Sequence, residues 1–174
     1  MEINYRLALA RDAMEIAALH ARSWQVHYRG SFSDAYLDGP VIPDRQEVWR
    51  HRLQHPPSNQ YCLVAETGER IVGLLCLYLK EDPHYGSYID NLHVDPEHQG
   101  LRIGKTLMAK AADWLELQAP GVPYYLWVLA VNSQAIGFYK AIGGRNLETA
   151  EQPHPDGGHS ICCRFVWNTN GLKV

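Results

Sequence analysis

Residues 132–143 read Asn132-Ser133-Gln134-Ala135-Ile136-Gly137-Phe138-Tyr139-Lys140-Ala141-Ile142-Gly143. Asn132 is a natural N-cap, because its side-chain oxygen can accept a backbone N–H from the first turn. Ala135, Phe138, Tyr139 and Ile142 follow at helical spacing. By itself the run predicts a short amphipathic helix. Tyr139 on its apolar face would then read as a core residue with a satisfied hydroxyl.

The residues upstream add to that reading. About thirty residues earlier a strand-like run, Tyr88 to Val94, meets Asp95-Pro96. The loop Gln99-Gly100-Leu101-Arg102-Ile103-Gly104-Lys105 follows and opens a second helix, predicted from about Ile103 to Gln118. Ile103, Leu107, Ala111, Trp114 and Leu115 keep helical spacing there. Free backbone N–H groups and the positive dipole end at such a helix start bind phosphate. Gly100 and Gly104 let the backbone approach a ligand closely, and Arg102 and Lys105 add charge. Tyr124 to Val131 is a dense apolar run that suits a strand buried on both faces. A helix joins the strands at 87–94 and 124–131, so the two are predicted to be parallel, with a right-handed crossover. Ligands settle at the carboxyl ends of strands beside such crossovers.

The other segments complete a mixed α/β order. Asn4 to Leu9 reads as a first strand, and Asp12 with Glu15 as the capping box of a helix that Trp24 and Tyr28 extend. A second helix is predicted from about Asp44 to Leu53. Tyr61 to Glu66 and Arg70 to Leu79 read as a hairpin around Thr67-Gly68-Glu69. Late strands are predicted at about Arg145 to Thr149 and His159 to Trp167. No repeat or linker interrupts the 174 residues, so one domain over 1–174 is expected.

Composition excludes several classes. A formal charge of -3 without a basic stripe does not favour nucleic acid. The most apolar stretch, Ile71 to Leu79, is too short to span a membrane, and the N-terminus lacks the pattern of a signal peptide. The expected location is the cytoplasm. Cys62, Cys76, Cys162 and Cys163 have no metal-like spacing and read as small buried side chains. The histidines His84, His93, His98, His154 and His159 form no tight ligand pattern, so no metal is expected.

Taken together, the two segments resemble the GNAT superfamily of N-acetyltransferases. That family's coenzyme loop has the form Gln/Arg-x-x-Gly-x-Gly/Ala after a strand ending in Val-Asp-Pro, and this chain has Val94-Asp95-Pro96-Glu97-His98-Gln99. The later motif, Asn-x-x-Ala-x-x-Phe-Tyr-x-x-x-Gly-Phe, is matched by Asn132, Ala135, Phe138, Tyr139 and Gly143, with Gly144 in place of the second aromatic. The resemblance implies a mostly antiparallel mixed sheet with a splayed parallel central pair, flanked by helices. Arg102 stands where the family usually has the first loop glycine. Since a side chain disfavours positive φ, the expectation is an ordinary helical conformation with the guanidinium reaching a phosphate.

What the resemblance implies chemically is an acyltransferase that moves acetyl directly from acetyl-CoA to an amine. The coenzyme would be held by Leu92, His93, Val94, Gln99, Gly100, Leu101, Arg102, Ile103, Gly104, Lys105, Asn132 and Tyr139. Tyr139 is the expected general acid. Asp90 and His93, on one strand but on opposite faces by alternation, are the base candidates. The acceptor side falls to the early helices, with Trp24, Tyr28, Tyr36 and Trp49 as an aromatic series and Asp34, Asp38 and Glu81 as charge partners. The leading expectation is a small-molecule amine acceptor. A protein N-terminus or lysine, and a CoA-binding module without catalysis, are the alternatives. A homodimer is a family-level expectation.

Overall fold

The computed structural model describes residues 2–168 and 171–173. Its elements are β1 (Asn4–Leu7), α1 (Ala13–His27), α2 (Asp34–Leu37), α3 (Val41–Gln54), β2 (Gln60–Thr67), β3 (Arg70–Asp82), β4 (Gly86–Val94), α4 (Ile103–Gln118), β5 (Tyr124–Leu129), α5 (Ser133–Ala141), β6 (Arg145–Pro153) and β7 (His159–Trp167). The strands form one seven-stranded sheet in the order β1-β2-β3-β4-β5-β7-β6. Every pairing is antiparallel except β4 with β5, which is parallel as the helical crossover requires. Among the described residues no helix is long and apolar enough to cross a membrane.

Strand alternation divides the core. Leu63, Ala65, Val72, Leu75 and Leu77 turn to one face and pack under Ile103, Leu107, Met108, Ala111 and Leu115 of α4. Cys62, Val64, Ile71, Leu74 and Cys76 turn to the other, against Ile16, Leu19, Trp49 and Leu53 of α1 and α3. Gly73 marks where α4 crosses β3 most closely, since a Cβ there would lie 2.7 Å from Ile103 Cγ2. All four cysteines are free and buried in strands.

The capping box expected at Asp12 and Glu15 does not form. The Asp12 carboxylate accepts the Leu9 N–H at 2.7 Å and the Arg6 guanidinium at 2.6 Å, so it ties β1 to the turn before the helix. Glu15 instead accepts the Ile71 N–H of β3 at 2.7 Å. The Arg6 guanidinium of β1 outcompetes the local cap, because a charge-assisted bond to a buried carboxylate is the stronger one.

The splay of the central pair positions the site. β4 and β5 share only the registers Ser87↔Tyr124 and Tyr88↔Tyr125. Beyond Tyr88 the strands diverge, and a gap opens at their carboxyl ends.

Candidate active site

The gap widens into a cavity of about 780 Å³ that runs from the start of α4, between β4 and β5, to the underside of α1 and α3. At one end lie Gln99, Gly100, Arg102, Gly104 and Lys105. Asp95 sets that loop by accepting the Glu97 N–H at 2.9 Å. The first helical bond of α4 runs from Thr106 N–H to Arg102 C=O, at 3.0 Å. The N–H groups of Ile103, Gly104 and Lys105 therefore have no partner within the helix and form an anion cradle. Gly100 is left-handed at φ +80, and so is Arg102, at φ 62 and ψ 11. The helical conformation expected at Arg102 is thus corrected. The loop keeps the shape that a glycine would give it, and the arginine bears the steric cost, on the order of 1 kcal/mol.

The strand wall comes from β4. Asp95 N–H bonds Val72 C=O at 2.9 Å. Antiparallel alternation then spends the His93 N–H on β3 and turns those of Leu92 and Val94 into the gap. Of the three residues expected to offer backbone donors, Leu92 and Val94 face the cavity this way and His93 does not.

The opposite wall is α5. Asn132 caps it, its Oδ1 accepting the Ala135 N–H at 3.1 Å. Tyr139 lies beside Phe165 and edge-on to Trp167, with ring centres 5.8 Å away in both cases, and lines the cavity. Burial, with a smaller effect from Tyr28, raises its pKa, so the hydroxyl stays protonated across the physiological range. Gly144, where an aromatic was expected, is forced by Trp167. A Cβ at Gly144 would lie 2.5 Å from the indole, which occupies that space.

The base candidates do not lie on opposite faces. The register steps from Cys76↔Asn91 to Leu77↔Ile89, leaving Asp90 as the extra residue of a bulge. A bulge restarts the alternation, so Asp90 and His93 both turn to the α1/α3 side. Asp90 Oδ2 accepts from Arg52 and from Asn91, each at 2.6 Å. His93 Nδ1 lies 2.9 Å from Ser23 Oγ, and its ring packs 4.5 Å from that of His20. Burial pushes the His93 pKa down to about 3, and nearby positive groups add to the shift. That environment removes the near-neutral pKa that favoured His93 as base. His20 is depressed for the same reason, and its Nδ1 accepts the Trp49 indole N–H at 2.9 Å.

Of the aromatic series, Trp24 and Tyr28 line the cavity and stack at 5.3 Å. Trp49 is fully buried, and the Tyr36 hydroxyl donates to Asp44. Asp34 and Asp38 both pair with Arg29, while Glu81 bonds Asn59. None of these three acids lines the cavity.

Several cavity residues had no motif to announce them. Arg45 and Arg52 project from α3 seven residues apart, two helical turns on one face. His154 comes from the β6–β7 turn, stacked on Phe32 at 4.2 Å, with Asp156 accepting the Ser33 N–H at 2.8 Å. These contacts dock the hairpin tip onto the α1–α2 loop and roof the α1 end of the cavity. Asp95, Glu97 and His98 bring donor atoms within 4.8 Å of one another. However, Arg22 and Arg70 lie 3.3 and 3.6 Å from Asp95 Oδ2, and their charge opposes a cation there.

Comparison with known proteins accords with this geometry. The thialysine N-epsilon-acetyltransferases of Sus scrofa and Bos taurus are each 32% identical to this chain. The first match covers 54% of this chain and 61% of the relative, the second 60% and 63%. The chain thus spans under two thirds of the length of these curated relatives. A PaiA N-acetyltransferase from Thermoplasma acidophilum, solved in complex with coenzyme A, shares the fold at TM-score 0.76 and 21% identity, over 93% of this chain and 98% of that one. Arabidopsis thaliana NAA60, in complex with a bisubstrate analogue, does so at TM-score 0.71 and 18% identity, over 98% and 99%. The acetyltransferase (GNAT) family profile matches residues 16–143, most of the chain, and the chain belongs to that family.

Proposed function

We propose that this protein transfers the acetyl group of acetyl-CoA to a primary amine of a small molecule. The observation that carries the reading is one continuous cavity bounded by the α4 anion cradle, the free N–H groups of Leu92 and Val94, and Tyr139. The cradle and the side chains of Arg102 and Lys105 take the coenzyme phosphates, and the splayed strands take the pantetheine arm. Gln99 and Asn132 shape the walls around it, whereas Leu101 points out of the lining and is half exposed.

The acceptor amine attacks the thioester carbonyl carbon, whose oxygen becomes an oxyanion. Backbone N–H groups of β4 stabilise that charge without having to reorganise. When the intermediate collapses, the C–S bond breaks and the thiolate leaves beside Tyr139. A phenol of pKa ~10 is a weaker acid than a thiol of about 8.5. Tyr139 therefore acts as a strong hydrogen-bond donor that gives up its proton as the thiolate forms and takes back the second proton shed by the newly acylated nitrogen. The ammonium of the free acceptor loses its proton to Asp90, directly or through water. Its Oδ2 is occupied by Arg52 and Asn91, and Oδ1 takes neither bond.

A cavity roofed by α1, α3 and the β6–β7 tip favours a small amine over a protein segment. The names of the relatives at 32% identity support a small amine as well. The deciding experiment is thiol release from acetyl-CoA with a panel of amino acids, polyamines, aminoglycosides and peptides. Release with a small amine supports the reading. Release with peptides alone makes this a protein acetyltransferase, and coenzyme binding without release under any amine makes it a CoA-binding module.

A further inference from the structure

We infer that the acceptor carries a carboxylate and that Arg45 of α3 receives it, an inference that rests on the acetyl-transfer reading above. Arg45, Val48 and Arg52 line the cavity from one face of α3. Arg45 is only 7% exposed. Its guanidinium lies over the Trp24 ring, 4.4 Å from the centroid, which braces its plane.

The protein does not satisfy this buried cation. The hydrogen bond that the described residues give it runs from Nη2 to Asp44 Oδ2 at 3.0 Å. The same Asp44 oxygen also accepts from the Tyr36 hydroxyl. Arg45 Nε is buried without a partner. A buried guanidinium with an unmatched donor is costly, and a carboxylate is the group whose paired oxygens suit its planar fork. Arg52 does not play this part, because it is bound to Asp90 at 2.6 Å and lies over Trp49.

The anions of the cavity point the same way. Asp90 is the one carboxylate among the described residues that line it. With Oδ2 taken, it serves a single ammonium, the one that reacts. A diamine would set its second ammonium against Arg45 with no free carboxylate to meet it, whereas an amino acid sets a carboxylate there. His20 and His93, held neutral nearby, add no competing charge.

The test compares kcat/KM for amino acids and their decarboxylated counterparts: L-lysine with cadaverine, L-ornithine with putrescine, and thialysine with bis(2-aminoethyl) sulfide. The best amino acid is expected to exceed its counterpart at least about tenfold, the worth of one charged hydrogen bond. Arg45→Gln should bring the pair within about threefold, and Arg45→Lys should keep part of the preference. Equal or faster turnover of the counterpart by the native protein overturns the inference, as does a preference unchanged in Arg45→Gln. The native comparison needs no variant, so it decides even if Arg45→Gln folds poorly. Absence of thiol release with every amine overturns the acetyl-transfer reading and this inference together, and so differs from turnover without preference.

Discussion

The Asp90 carboxylate and the Arg52 guanidinium meet at 2.6 Å, and so lock the bulge of β4 to α3 at the acceptor end of the cavity. One oxygen serves this lock, and the proposed base role falls to the other, so the two can be separated. Asp90→Asn should lower kcat at least about tenfold. It should also cost about 2 kcal/mol of stability, read from urea unfolding, because a half-buried charged hydrogen bond is weakened. A variant that loses stability and keeps full kcat would leave Asp90 as a strut alone.

Tyr139→Phe removes one hydroxyl and leaves the ring between Phe165 and Trp167. Turnover should fall at least about tenfold while acetyl-CoA affinity stays within about twofold. Thiol-release kinetics and a coenzyme titration measure the two effects separately. Unchanged turnover would remove the general-acid role.

Arg102→Gly separates conformation from charge. Glycine relieves the left-handed backbone, so the melting temperature should rise by about 2–4 °C. Losing the guanidinium should weaken acetyl-CoA binding about fivefold if it bonds a phosphate. Binding as tight as native, or tighter, would mean that the arginine is not a phosphate ligand.

Acid should unfold the protein in two stages. His93 titrates at about 3 when folded against 6.5 in the reference state, and His20 is depressed in the same direction. Below pH 6.5 the unfolded chain takes up protons that the folded one refuses, so stability falls with pH. His93 accounts for about 2 kcal/mol by pH 5, and His20 adds to the loss in the same direction. Asp12, Asp95 and Asp156 are held below the usual carboxylate range, so their contribution is present above pH ~4 and is lost only below it. Melting curves should therefore already drop between pH 7 and 5, and His93→Gln should make that drop smaller. A flat profile over this interval would show that neither ring is buried neutral.

Gly144→Ala tests how the chain fills the place of a missing aromatic. The new methyl would meet the Trp167 indole, and destabilisation of about 1–3 kcal/mol is expected from thermal or urea unfolding. A neutral substitution would mean that the indole can yield.

Helix α4 was legible because a long run of side chains keeps one period. The Asn132 cap and the Tyr139 wall were legible because a local motif determines them. The sequence misled where a distant partner decides the outcome. Asp12 has cap chemistry, but Arg6 lies across from it. Asp90 and His93 alternate on paper, but one inserted residue turns them to the same side. Arg102 carries a side chain where the loop needs a glycine-like turn, and the local preference yields to the loop's geometry. Arg45 went unnoticed because an arginine on a polar helix looks solvated until the strand opposite is in place.

The two-rung pairing of β4 with β5 gives the protein a sheet with an unfinished seam. The N–H groups of Leu92 and Val94 line that seam as the edge of a ladder does, waiting for a neighbour. On the proposed reading a coenzyme lying there would act as the missing strand, so that cargo and architecture would become the same object. Loading the protein should slow amide exchange along Leu92 to Val94 more than in the closed β2–β3 hairpin. It should also raise the melting temperature in step with coenzyme concentration, by about 2.7 kcal/mol of added stability at a hundredfold excess over Kd. On this account turnover is a cycle of mending and reopening a sheet, and release of product returns the fold to its less complete form.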